Sequence, residues 1–365
     1  MKRNANQIKT KKSSGKRIAV RITVFFFSLL FILCGAGLTY VQSLLNQIDR
    51  SEIHGDPNLT ISDIIGQMGD NNHQSAISVD IDEAIAKIKD SQQQYEKMQQ
   101  TPLLQNDNIQ NILLIGIDTR NPNSFSGNSD SMMIVSINRL TKKIHVSSLM
   151  RTMYVNIPGK EWFALNASYA WGGPKLLVQT VENNFRIKID DYVVINFTNF
   201  EKLIDSVGGV DVTLTAAEAK YLHSYFKTRE MQPGKNTLIG YEALCYSRIR
   251  MIDTDFKRTG RQRMVIESLM NKAVHMNLGQ LNSFANTLLP LINTSLTNSE
   301  LLTMATSAPN YINYEISQMM LPIENDPNGL GAKDPFHGIF YVSGLEVYNV
   351  NYYTNVKALH EFIVS

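Results

Sequence analysis

Asn111-Ile-Leu-Leu-Ile-Gly-Ile117 is a continuous apolar run, followed at once by Asp118-Thr-Arg120. It lacks the every-second-residue alternation of a half-exposed strand, so it reads as a strand buried on both faces. Such a strand needs helices above and below it. Met132–Ile137 and Ile144–Leu149 follow as strands, then Tyr192–Phe197 and the alternating Val210–Leu214. Between them, Gly172-Gly173-Pro174 opens a helix, with proline pre-set for the first turn. Thr198-Asn-Phe-Glu201 reads as a capping box whose helix runs to Gly208-Gly209. Further helices are expected over Arg258–Met276, near 279–290 and from a second capping box at Thr297–Glu300. Late strands are expected near 313–321 and 338–350, and a last helix near 355–364. The irregular alternation predicts an α/β class: an α-β-α sandwich with a mixed central sheet covered by helices. The main domain spans 108–325, and 326–365 is a strand-helix extension packed on it.

Upstream of this domain the charge is uneven. The chain has 365 residues, 35 Lys and Arg, 33 Asp and Glu, and a formal net charge of +2. Residues 1–21 hold eight basic side chains and no acid. Removing those eight leaves 27 basic against 33 acidic residues, a formal −6 over the remainder. Residues 22–41, ITVFFFSLLFILCGAGLTYV, are free of charge and long enough to cross a ~30 Å hydrocarbon core as one helix. The run exceeds a signal-peptide core, and Tyr40–Leu44 makes a poor cleavage site, so an uncleaved anchor is expected. The basic tail places the N-terminus in the cytoplasm and the body outside, as a single-pass protein of the cell membrane. An acidic body argues against a nucleic-acid partner. Residues 42–107 read as a helical stalk or linker, with Ile81, Ile85, Ile88 and Tyr95 at helical spacing.

Several chemistries have no sequence support. There is no Walker loop, no H-E-x-x-H, no nucleophile elbow and no dinucleotide fingerprint. Cys34 and Cys245 cannot build a disulfide framework, and the seven histidines are scattered without metal-ligand spacing.

Two clusters carry chemistry. Asp118 closes the first strand and Asp130 precedes the second, so neighbouring strands would bring both carboxylates to one sheet edge, where α/β proteins bind ligands. A hard cation such as Mg²⁺ or Mn²⁺ suits that pair. The second cluster runs from Arg248 to Arg263 and holds five arginines: Arg248, Arg250, Arg258, Arg261 and Arg263. If Tyr246–Met251 is extended, Arg248 and Arg250 share a face. On a helix, Arg258 and Gln262 share one as well. Arginine forks match phosphate geometry. Read from the residues alone, turn-and-cap aspartates and a solvated basic helix face remain open. Together the clusters suggest a pyrophosphate site.

The segments NILLIGIDTR, NSDSMMIVSINRLTKKIHVSSLMRTMYVNIPG, LNASYAWGGPKLLVQTVE, DDYVVINFTNFEKLIDSVGGVDV and YSRIRMIDTDFKRTGRQRMVI resemble, in order and spacing, the LytR-CpsA-Psr family of cell-envelope proteins. The resemblance implies a membrane-anchored extracytoplasmic phosphotransferase. Such an enzyme moves a secondary wall glycopolymer, of teichoic acid or capsule type, from undecaprenyl pyrophosphate to peptidoglycan. It implies Mg²⁺ held near Asp118 and Asp130. Around the phosphates it places Arg120, Arg151, Arg248, Arg250, Arg258 and Gln262, with Asp118, Arg151, Arg248, Arg250 and Arg258 in the catalytic set. Asn166 and Asp255 match family positions of less defined role. It also implies a long apolar pocket for the polyprenyl tail. MMIVSI and Leu176, Leu177 and Val181 would line such a pocket or be ordinary core. One departure is Thr152, where the family has an acid after the arginine. Hydrolysis of the lipid pyrophosphate and a non-catalytic polyprenyl-phosphate scaffold are the alternative readings.

Overall fold

The computed structural model describes residues 39–68, 81–311, 313–323 and 339–365. The chain divides into two units, Met1–Gln47 and Ile48–Ser365, and the second carries everything below. The expected membrane helix at 22–41 falls almost wholly outside the described residues. Among the described residues no helix is long and apolar enough to cross a membrane.

The stretch read as a stalk supplies α1 (Ile61–Gln67) and α2 (Ile81–Met98). It shares the main core through Ile53, Ile64, Met68 and Met98. β1 (Ile109–Ile117), β2 (Ser129–Asn138) and β3 (Lys143–Leu149) then form an antiparallel meander. A small hairpin, β4 (Tyr154–Asn156) with β5 (Trp162–Ala164), leads into α3 (Ala167–Phe185). That helix bends at Gly172-Gly173, and Pro174 starts its second half. Gly173 has φ +63 and faces the Ile53 carbonyl where a Cβ would lie 2.4 Å away, so glycine is required there.

β6 (Asp191–Asn196) adds parallel to β1, and α4 (Phe197–Ser206) follows it directly. The start of α4 corrects the sequence reading. Its cap is Asn196, whose side chain accepts from the Asn199 amide at 2.8 Å, while the Thr198 hydroxyl donates to the Arg120 carbonyl instead. Next comes a lobe with its own core. It contains the hairpin β7 (Val210–Leu214) and β8 (Gly234–Leu238), α5 (Ala216–Phe226) and α6 (Gly240–Ser247). Tyr246–Met251 is therefore not extended: it is the end of α6 followed by a turn. α7 (Asp255–Val274), α8 (Leu278–Leu288), β9 (Ile292–Thr294), α9 (Asn298–Tyr311) and β10 (Glu315–Leu321) follow. A hairpin of β11 (Ile339–Val342) and β12 (Leu345–Tyr348) precedes α10 (Tyr352–Val364).

The central sheet has the order β10-β3-β2-β1-β6-β9, with parallel pairs β10–β3 and β1–β6. It is mixed, as expected. Its first face presents Leu113, Ile115, Ile117, Met132 and Ile134 to α2, α3 and α10, in a dense core with Leu177 and Val181. Its second face presents Met133, Val135, Ile137, Ile144 and Val146. Here Leu114, Ile266, Met270, Met304, Tyr311 and Ile316 pack only half-buried. Residues 266–270 of α7 are all half-buried. The second face is thus apolar but loosely covered.

Candidate active site

The register of β1 on β2 builds the acidic half of the site. Gly116 pairs with Ser131 and Ile117 with Ser129, leaving Asp130 as the extra residue of a bulge. A bulge re-aims the side chain it displaces. Asp118, one residue past β1, donates its amide to the Asn128 carbonyl at 3.1 Å, which closes the loop between the two strands. Both carboxylates therefore meet at one sheet edge. Asp118 is exposed, yet local burial and the negative charge of Asp130 push its carboxyl above the ordinary range, against Arg248, Arg120 and Arg151. Asp130 behaves oppositely. Burial alone would raise it, but Arg151, Arg258 and Arg250 together hold it below the ordinary value.

The basic half comes from four places. Arg151, at the end of β3, is buried and its Nη1 lies 2.6 Å from Asp130 Oδ1. Arg248 caps α6, and its guanidinium lies 5.1 Å from the Phe197 ring centroid. Arg250 and Arg258 converge on Asp255, at 3.4 and 3.1 Å between Nε and Oδ1. Arg258 is 4% exposed, and burial with Arg151 and Arg250 nearby pushes it down to about 10, against the pull of Asp255 and Asp130. It stays charged at neutral pH. Gln262 lies one turn further along α7.

Of the sixteen-residue arginine cluster, three members reach this centre. Arg261 instead braces the small lobe, donating to Glu218 at 2.7 Å, to the Ile249 carbonyl at 3.0 Å and to Asp253. Arg263 turns to Gln318 on β10. Asn166 is wholly buried, and its amide donates to the Arg151 carbonyl at 3.0 Å. Among the described residues its side-chain oxygen and nitrogen have no hydrogen-bond partner. A buried, unsatisfied amide beside a buried arginine is what a polar ligand would complete.

Thr152 is buried, and its carbonyl accepts from the Tyr348 amide at 2.9 Å. Sequence reading missed Tyr348. The charges of Asp255, Arg250 and Arg258 all act on its hydroxyl, which burial raises strongly. It also missed Phe197, because no local pattern marks a ring that will meet an arginine fifty-one residues later. Cys245 is buried and its thiol is pushed up by burial, which suits packing rather than nucleophilic work. Among the described residues no three His, Cys, Asp or Glu side chains are placed to hold a metal ion.

The sequence profile of the LytR_cpsA_psr family matches residues 75–348. The chain belongs to this family. Among its relatives is the polyisoprenyl-teichoic acid–peptidoglycan teichoic acid transferase TagU of Oceanobacillus iheyensis, 35% identical over 252 residues, or 66% of this chain and 73% of that protein. Biofilm regulatory protein A of Streptococcus mutans is 37% identical over 184 residues, 46% of this chain and 44% of that one. Among solved structures, TagT bound to LIIa-WTA superposes with a TM-score of 0.58 at 25% identity, covering 70% of this chain and 90% of that one. The α/β fold with a mixed sheet between helices is the fold of these structures.

Proposed function

We propose that this LytR-CpsA-Psr protein transfers a teichoic acid or capsule-type glycopolymer from a polyprenyl pyrophosphate to peptidoglycan. One observation carries the reading. Arg151, Arg248, Arg250 and Arg258 gather around Asp118 and Asp130 at one end of a sheet whose second face is apolar and loosely covered. A ligand with a charged pyrophosphate and a long hydrocarbon tail fits both features. The TagU name states the same reaction class for a relative.

In the proposed reaction the acceptor hydroxyl oxygen attacks the phosphorus that bears the glycan. The phosphodiester bond forms, the bridging P–O bond breaks, and the polyprenyl monophosphate leaves with the bridging oxygen. Asp118, the accessible carboxylate of the pair, takes or orients the hydroxyl proton. Arg248, Arg250 and Arg258 stand where negative charge moves onto the leaving phosphate, and such preorganised charge is the main source of rate in phosphoryl transfer. Arg151, fixed by Asp130, would hold the phosphate under attack.

The residues also fit a hard divalent cation. Asp118 is accessible and is repelled by Asp130, and Mg²⁺ or Mn²⁺ characteristically takes one or two carboxylates plus phosphate oxygens. When bound, the ion would neutralise the pyrophosphate between Asp118 and Asp130. The charge-free run at 22–41 would anchor the domain outside the membrane, near its lipid-linked donor.

Arg250→Ala tests the reading. It should lower transfer of a polyprenyl-pyrophosphate-linked glycan to peptidoglycan oligomers by about 10²–10³. Wild-type transfer in this variant would overturn the assignment.

A further inference from the structure

The junction between β6 and α4, Asn196-Phe197-Thr198-Asn199, touches both arms of the site. Asn196 Nδ2 lies 3.2, 3.2 and 3.1 Å from the carbonyls of Asn121, Pro122 and Ser124. Asn199 Nδ2 donates to Pro122 at 3.0 Å. The Thr198 hydroxyl donates to the Arg120 carbonyl at 2.8 Å. These bonds set the loop that follows Asp118. Between them, Phe197 is 8% exposed and its ring meets the Arg248 guanidinium at 5.1 Å. The helices that carry the two partners are locked together, because a Cβ on Gly240 of α6 would lie 2.2 Å from the Glu201 carbonyl of α4.

We propose that Phe197 is a positioning residue: its ring face holds the Arg248 guanidinium beside Asp118 while the polar residues around it hold Arg120. This rests on the pyrophosphate reading of the site. An arginine side chain has many rotamers, and a cation–π contact between the half-buried Arg248 and the buried ring selects one of them before substrate arrives. Phe197 itself touches no reacting atom. Its effect passes through Arg248.

Phe197→Leu keeps the apolar bulk and removes the ring quadrupole, and Phe197→Tyr keeps the ring. In the full chain, with a polyprenyl-pyrophosphate-linked glycan as donor and peptidoglycan oligomers as acceptor, Phe197→Leu should lower kcat/KM by about five- to tenfold, the scale of a cation–π contact to a half-buried arginine. Its unfolding midpoint should stay near wild type, and Phe197→Tyr should restore the rate. In an Arg248→Ala background, Phe197→Leu should have no further effect. Wild-type activity in Phe197→Leu, or a full additional loss on top of Arg248→Ala, overturns the proposal. An unchanged rate in Phe197→Leu beside a lost rate in Arg250→Ala removes only the positioning role. An unchanged rate in Arg250→Ala removes the site reading itself.

Discussion

Asp130 lies against the buried Arg151 and feels a second buried guanidinium, Arg258. The acid stabilises two charges that water cannot reach. Replacing it with Asn removes that charge and should cost about 1.5–3 kcal/mol, the scale of a lost hydrogen bond to a charged group. Urea unfolding of Asp130→Asn measures this, and an unchanged midpoint would overturn it. At this scale the sequence was informative where chemistry interrupts a pattern. Asp118 ends an apolar run, and Arg248, Arg250 and Arg258 crowd an otherwise acidic body. It was uninformative where tertiary proximity decides. Nothing near Arg261 distinguishes it from Arg258, yet one braces Glu218 and the other enters the site. Nor does the sequence show that Asp255, rather than an acid at position 152, sits between Arg250 and Arg258.

The elements β1 and β2 were legible because largely apolar runs leave few other fates. α6 was not, since Tyr246–Met251 alternates like a strand until Ala243, Cys245 and Tyr246 are seen filling the lobe core. The cap of α4 was misplaced for a physical reason. Asn196 and Thr198 can both cap, and the need of the Arg120 carbonyl for a donor takes Thr198 away. On the opposite flank, His145 of β3 is buried under α10, with Nδ1 2.8 Å from Ser317 Oγ and its ring edge-on to Phe362 at 4.7 Å. Burial, then Lys143, lowers its proton affinity below the ordinary value of 6.5, with Glu315 of β10 opposing. The folded form then binds fewer protons than the unfolded chain just below 6.5, so this contribution to stability is complete above 6.5 and falls as the pH drops. Thermal unfolding from about pH 7 to 5 should show a slope that His145→Gln flattens. An equal slope in both proteins would place the titrating group elsewhere.

Across the whole molecule, the two faces of one sheet serve different ends: the first is packed as a core, the second is left loose. The α/β class followed from the strand pattern, but which face would be loose did not. That depends on how α7 and α9 settle on it. A polyprenyl pyrophosphate that binds there stabilises the folded chain, by about 2.7 kcal/mol at a hundredfold excess over Kd. Melting curves with and without the lipid should separate by several degrees, and Leu114→Lys, on the loose face, should abolish the separation. A lipid-independent melting point in wild type would argue against a binding face there. The same sheet has a bearing on how the chain folds. β3 receives its outer neighbour only when Lys143 pairs with Glu315 and Leu149 with Leu321. Until that late segment arrives, β3 is an open edge of backbone donors and acceptors, able to template on another chain. Closing so long a loop is slow. Maturation of the loose face is therefore bound to the last strand of the sheet, and truncation before β10 should yield aggregates rather than a smaller working domain.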